Sequence, residues 1–366
     1  MTANESARFG PDWESLTPTN ENQAIIDELN AKNSDPKLDA PETTSPNNSK
    51  HTYRGRFMAG KEQEYEATLD AYRIIYGSEA NSHVQALTGC RTYASFRRDS
   101  VTGDLKVFGD SCRDRWCPMC AGQKQSYAQD QCELYLKSLA KPRFLTLTLR
   151  NCESDLKSQI SFLQESFARL RSRAYWKKNV TGGIWFLQVK RGKNSQLWHP
   201  HLHILLDGNY LERGRLSQLW ELVTYGSPII DIEQVSDIEY AAKYVARYTA
   251  RPAWLSDMPE NDRVEVIESL FRKRLSGTFG TGKTVTLTPP KIESDIDWEY
   301  VGHYDDIAQR AEYSNTARAI MIAFHTYQPL SEKVFEDFTG HAPGDLSVFE
   351  PPPPKAKQLL LDFYNT

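Results

Sequence analysis

Three of the chain's eight histidines fall within five residues: His199, His201 and His203, in the stretch HPHLHILLD (199–207). The stretch is apolar and reads as a β-strand, whose period of two turns all three imidazoles to one face. Neutral imidazoles on one face are ligands for a divalent metal. Two histidines of one strand need a third donor from a neighbour. The preceding apolar run IWFLQV supplies Gln188, a buried amide that needs a partner. His199 competes for that role; beside Pro200, at the strand start, it faces DNA or supports a ligand instead.

The surrounding periodicity gives an element order. RFLTLTLR (143–150) alternates and reads as a strand. Leu156, Ile160, Leu163, Phe167 and Leu170 recur at helical spacing within 154–178, and Ser154 is placed to cap that helix. Two strands follow, 182–191 and 199–207, then a helix at 215–225, a strand at 229–235 and a helix at 237–250. This order predicts an antiparallel sheet with helices on one face. Upstream, helices are expected at 64–77 and 121–140. Residues 1–50 are polar, acidic and poor in aromatics, and read as a disordered tail. The expected domains are therefore the tail, a cysteine-bearing region at 51–140, a core domain at 141–275 and an acidic accessory region at 276–366.

The last helix of that core carries EYAAKYVARYTAR (239–251). Tyr240, Tyr244 and Tyr248 share one face, and Lys243, Arg247 and Arg251 form a parallel stripe. Aromatic helix faces usually pack against a core, but a metal-binding strand upstream changes the reading. A divalent ion polarises a phosphodiester. A phenol is a nucleophile. The cations hold the backbone and steady developing charge.

The ordered set FLTLTL (144–149), HPHLHILLDG (199–208) and YAAKYVARYTAR (240–251) resembles the three motifs of the HUH endonuclease superfamily, closest to the rolling-circle replication initiators of small plasmids. The resemblance spans about residues 90–275. It implies an α+β fold: a ferredoxin-like nuclease domain with a central antiparallel sheet, preceded by a zinc-binding segment. It implies Mg²⁺ or Mn²⁺ at His201, His203 and the third ligand, which in this group is often a glutamate where this chain has Gln188. It implies nicking of single-stranded or hairpin origin DNA, leaving a 5′-phosphotyrosine and a free 3′-hydroxyl primer. Tyr244 matches the main nucleophile and Tyr248 the partner of two-tyrosine members, with Tyr240 a third candidate. Glu239 lies one residue off the position of the acid that activates water in some one-tyrosine members, which favours a second tyrosine.

Cys112, Cys117 and Cys120 lie in SCRDRWCPMC, and Cys90 precedes them by 22 residues. The C-x2-C turn predicts a structural, four-coordinate Zn²⁺ site. The fourth ligand is Cys90, with His83 and Cys132 as alternatives; Cys132 and Cys152 read as unliganded. The RxCPxC pattern also resembles the zinc segment ahead of the HUH domain in these initiators and in some transposases.

Residues 277–284 (GTFGTGKT) satisfy the G-x4-G-K-[ST] pattern of a phosphate-binding loop. That loop needs a strand before it and a helix after it. Here a basic, helix-like FRKRLS precedes it and a β-rich run ending in Pro289-Pro290 follows, so the reading is a Gly-rich loop that touches DNA through Arg272, Lys273 and Arg274.

The formal charge of −4 argues against nucleic acid until it is resolved along the chain. Residues 141–275 carry 21 basic and 15 acidic residues, while 1–50 carry 4 and 9, and 276–366 carry 7 and 13. The metal strand and tyrosine helix fall in the basic part. Absence of a long apolar run and of a secretory signal predicts a cytoplasmic protein without membrane partners. The acidic C-terminal region is a candidate contact for a host helicase or polymerase. The rival functions are a related HUH transposase and a non-catalytic, zinc-containing DNA-binding regulator.

Overall fold

The computed structural model describes residues 52–192, 195–251, 253–289 and 296–344; the expected tail at 1–50 and the proline run at 351–354 lie outside them. The chain groups into two compact units, one from the described parts of 1–62, 85–112 and 291–366, the other from 63–84 and 113–290. This grouping does not follow the divisions at 140 and 275 that composition suggests.

The first unit holds α1 (Tyr53–Met58), α3 (Ser82–Thr88, in part), β1 (Ala94–Asp99), β2 (Leu105–Gly109), β8 (Trp298–His303), α10 (Tyr304–Arg310), α11 (Asn315–His325) and α12 (Glu332–Thr339). Its sheet runs β2-β1-β8, antiparallel throughout. Phe96, Val301, Tyr304, Ile307, Ile320 and Phe335 form its core.

The second unit holds α2 (Glu62–Tyr76), α4 (Pro118–Ser138), β3 (Arg143–Thr148), α5 (Leu156–Ser172), α6 (Ala174–Asn179), β4 (Val180–Gln188), β5 (His201–Gly208), α7 (Arg213–Thr224), β6 (Ile230–Gln234), α8 (Ile238–Ala250), α9 (Glu260–Ser269) and β7 (Ser276–Gly280). Its antiparallel sheet runs β6-β3-β5-β4-β7, so the histidine strand β5 is central.

Helices cover both faces of this sheet, not one. On one face Ile184, Phe186 and Leu205 pack with Cys132, Tyr135 and Leu136 of α4 and Ala241, Ala242 and Val245 of α8. On the other, the Trp220 indole of α7 donates to the Thr148 carbonyl (2.8 Å) and Phe167 of α5 meets Phe279 of β7 (5.8 Å). The physical reason lies in the strands: Leu145 and Leu147, and Leu202, Ile204 and Leu206, are all buried on the second face. A strand apolar on both sides must be covered on both sides.

Two local expectations change. Asp155, not Ser154, caps α5 by accepting from Ser158 N (2.8 Å), and the helix expected at 154–178 breaks at Arg173 into α5 and α6. No strand follows the Gly-rich loop among the described residues up to 289.

Candidate active site

Register builds the histidine site. His201 pairs with Gln188 of β4 and with Thr148 of β3; His203 pairs with Phe186 and Thr146. Directly opposed residues share a face. Gln188, His201, His203 and Thr146 therefore point together, toward the face that α8 covers.

The three side chains meet at one atom. Gln188 Oε1 lies 2.9 Å from His203 Nε2 and in still closer contact with His201 Nε2. His201 Nδ1 lies 3.1 Å from the His199 carbonyl. A carbonyl only accepts, so Nδ1 carries the proton and Nε2 presents a bare lone pair. His203 Nδ1 is likewise occupied, by Thr146 Oγ1 at 3.2 Å. Burial, helped by the charge of Lys190, holds the His201 pKa well below the usual histidine range and brings that of His203 down to about 3. Both rings are neutral at physiological pH. The His201 Nε2 and Gln188 Oε1 lone pairs thus meet with no proton between them, and with His203 Nδ1 donating to Thr146 the set fits a cation held by one oxygen and two nitrogens. A turned Gln188 amide, donating through its nitrogen, is the metal-free arrangement of the same atoms.

His199 does not join this convergence. Its Nδ1 lies 2.8 Å from Asn151 Oδ1, outside the shared point.

Helix α8 starts at Asp237, whose carboxylate accepts from Tyr240 N (2.9 Å). Its tyrosines grade in depth. Tyr240 is 65% exposed, Tyr244 half-buried and Tyr248 only 4% exposed. Tyr244 meets the His203 ring edge-on at 5.3 Å, and Tyr248 stacks on it at 5.2 Å. Burial raises the Tyr248 pKa, as does its hydrogen bond with Tyr244, so Tyr248 stays protonated.

The cation stripe splits. Lys243 is exposed, and Arg247 lies 4.6 Å from the Tyr244 ring centroid. Arg251 leaves the stripe: it is buried, pairs with Glu64 of α2 (3.4 Å) and lies over Trp254 (4.1 Å). Helical spacing aligned it with Lys243 and Arg247, but at the C-cap the chain turns inward. Glu64 also accepts from Leu255 N and Ser256 N, so this carboxylate organises the helix exit.

The four cysteines Cys90, Cys112, Cys117 and Cys120 are buried, and their sulfurs all lie within 4.8 Å of one another. Tetrahedral zinc, with Zn–S of about 2.3 Å, needs sulfurs roughly 3.8 Å apart. Cys117 sits at the N-cap of α4 and Cys120 in its first turn, where the helix dipole favours thiolate. The Cys112 N–H donates to Cys90 Sγ (3.5 Å). The set can hold zinc. His83 instead stacks on Tyr76 (4.4 Å), and Cys132 lies in the apolar core, its thiol pushed up to about 12 by burial.

The GTFGTGKT segment is the end of a strand and a 3-10 turn, not a phosphate cradle. Its first glycines lie in β7, and Thr281–Thr284 form a single 3-10 turn with no α-helix after it up to 289. A Cβ on Gly182 would sit 2.2 Å from Thr281 N, so the glycines serve close backbone approach.

Sequence reasoning missed Thr146, Glu64 and Asn151. Thr146 was legible in principle, because FLTLTL alternates and its threonines fall on the histidine face.

A family model described as "Replication protein" matches residues 106–327. Curated relatives named "Protein rep" match from Bacillus amyloliquefaciens (30% identity, 50% of this chain and 57% of the relative), Streptococcus pneumoniae (32%, 50% and 65%) and Staphylococcus aureus (29%, 39% and 70%). This chain thus spans less than two thirds of the length of the first two of these relatives, 57% and 65%. No solved structure matches. With the family model covering most of the chain, from the first sheet through the tyrosine helix, the chain belongs to the replication protein family, the relationship to plasmid rolling-circle initiators of the HUH type that its three motifs imply.

Proposed function

We propose that this replication protein nicks and rejoins single-stranded origin DNA through a tyrosine nucleophile to start rolling-circle replication. The observation that carries the reading is the meeting of Gln188 Oε1 with two neutral imidazole nitrogens beside the Tyr244 and Tyr248 rings. The family membership favours an initiator over a transposase.

A divalent cation, Mg²⁺ or Mn²⁺, held by His201, His203 and Gln188, supplies the charge that polarises the scissile phosphodiester. The chain's own groups do the rest. Thr146 and the His199 carbonyl fix the ring orientations. Tyr244, the half-buried phenol, attacks phosphorus; its Oη–P bond forms as the P–O3′ bond breaks. The product is a 5′-phosphotyrosine and a 3′-hydroxyl, the phenol's proton passing to the departing oxygen. Tyr248, protonated and edge-on to the Tyr244 ring (5.7 Å), flanks that hydroxyl and stands as the second phenol for rejoining. Lys243 and Arg247 hold the flanking phosphates. Cys90, Cys112, Cys117 and Cys120 hold zinc as a structural clamp.

The test is covalent capture. Full-length protein is incubated with single-stranded origin oligonucleotides and Mn²⁺, then run on a denaturing gel. An adduct is expected, lost by at least about 10²-fold in Tyr244→Phe and with EDTA. Full activity of Tyr244→Phe with a dead Tyr248→Phe would reverse the two phenols. DNA binding without any adduct would make the chain a non-catalytic regulator.

A further inference from the structure

The second face of the five-stranded sheet, turned away from the histidines, carries a cavity of about 220 Å³ lined by Phe167, Arg171, Trp185, Arg272, Lys273 and Arg274. Leu202 forms part of its wall. One residue along β5 from His201, it points to the opposite side. The cavity is smaller than the roughly 300 Å³ at which pockets for whole small-molecule ligands begin. It has room for a unit of a chain rather than a large cofactor.

Its charge is one-sided. Four cations line it and no carboxylate does. Two buried arginines elsewhere in the described structure meet carboxylates, Arg98 with Glu299 (3.0 Å) and Arg251 with Glu64 (3.4 Å); around the cavity Arg171 and Lys273 are half-buried, and Arg272 and Arg274 are exposed. None of Arg171, Arg272, Lys273 and Arg274 has a carboxylate within 4.0 Å among the described residues. The Arg171 Nε is buried with no hydrogen-bond partner, its guanidinium lying over Phe167 and Phe279. Four like charges kept together repel one another, and an anion relieves that cost.

The site is also built. Arg115 donates to the Leu270 carbonyl (2.6 Å) and the Lys273 carbonyl (3.0 Å), and Gln164 to the Arg274 carbonyl (3.1 Å). Lys273 Nζ donates to Ser161 Oγ (3.0 Å). Arg272 adopts a left-handed φ of 56°, a conformation the two Arg115 bonds hold in place. The half-buried Trp185 offers an indole for a base.

We propose that this cavity binds the phosphate backbone of a single-stranded DNA segment, with a base against Trp185, on the sheet face opposite the nicking site. The strand would contact both faces of one sheet, so that the segment beyond the nick stays held. The inference rests on the reading that this chain handles single-stranded DNA, not on the tyrosine chemistry.

Its test is the salt dependence of oligothymidylate binding to the full chain, measured by anisotropy. Arg272→Ala with Arg274→Ala removes two phosphate contacts. At about 0.7 per contact on a single strand, the slope of log affinity against log salt should become shallower by about 1.4, with roughly tenfold weaker binding at low salt. Lys177→Ala with Lys178→Ala removes the same charge from exposed positions of α6 and should change the slope far less. Equal slopes for wild type and the Arg272/Arg274 variant overturn the proposal, as does an equal loss in the α6 control. Inorganic phosphate or a nucleoside triphosphate that displaces oligothymidylate only at its bulk ionic strength supports a strand site. Displacement at micromolar concentration makes it a free-anion site and overturns the proposal. Failure of covalent capture would remove the nicking function and leave this slope difference intact.

Discussion

The two sheets bury polar groups in opposite ways. In the three-stranded sheet Arg98 of β1 meets Glu299 of β8 at 3.0 Å, and Arg98 Nε also donates to the Leu330 carbonyl (3.1 Å). Donors face acceptors, and the pair is complete. In the five-stranded sheet the bare His201 Nε2 meets the Gln188 Oε1, two acceptors at one point, beside His203 Nε2. Both clusters are inside, so burial alone does not mark a site. A polar cluster that satisfies itself belongs to the fold. One that lacks a positive partner points to a ligand.

Breaking the self-contained cluster should cost the most stability. Arg98→Ala leaves Glu299 buried without its partner and should destabilise by about 3–5 kcal/mol in denaturant unfolding. The paired replacement Arg98→Met with Glu299→Leu should be near neutral, and the double variant should still form the covalent adduct. A loss of adduct formation in that folded double variant would erase the distinction between the two sheets.

A smaller effect sharpens the other side. Thr146→Val removes the hydroxyl that holds His203 Nδ1 and should weaken Mn²⁺ binding by about 10- to 100-fold while leaving the fold in place. Unchanged Mn²⁺ affinity would mean that Thr146 does not orient this ring.

The same contrast governed what could be read from the sequence. Strands β3, β4 and β5 alternate or run apolar, and α5 and α8 repeat at helical spacing, so the five-stranded sheet and its histidine face were legible. The three-stranded sheet was not. ASFRRD carries consecutive arginines, and its partner WEYVGH lies about 200 residues away, a pairing that no local pattern encodes. Strand β7 (SGTFG) has weak strand propensity and pairs because glycines in both it and β4 allow close approach. Helices α5 and α7 were legible as helices, but their place on the second face was not, because the order of elements does not say which side of a sheet a helix covers. At the site, residue types and period placed the histidines and tyrosines. The role of Arg251 failed because its partner, Glu64, lies on a distant helix.

A cation site at Gln188, His201 and His203 and a metal-free hydrogen-bonded cluster of the same groups differ in whether they bind Mn²⁺. Titration of Mn²⁺ into the zinc-loaded chain, followed by loss of the free Mn²⁺ spin signal, tests it directly. A cation site should appear as one Mn²⁺ bound, which His201→Ala with His203→Ala abolishes, Gln188→Ala weakens and Gln188→Glu tightens by adding a carboxylate. Equal Mn²⁺ binding in wild type and the double histidine variant would contradict it, leaving the turned amide of Gln188 as the arrangement that satisfies both rings.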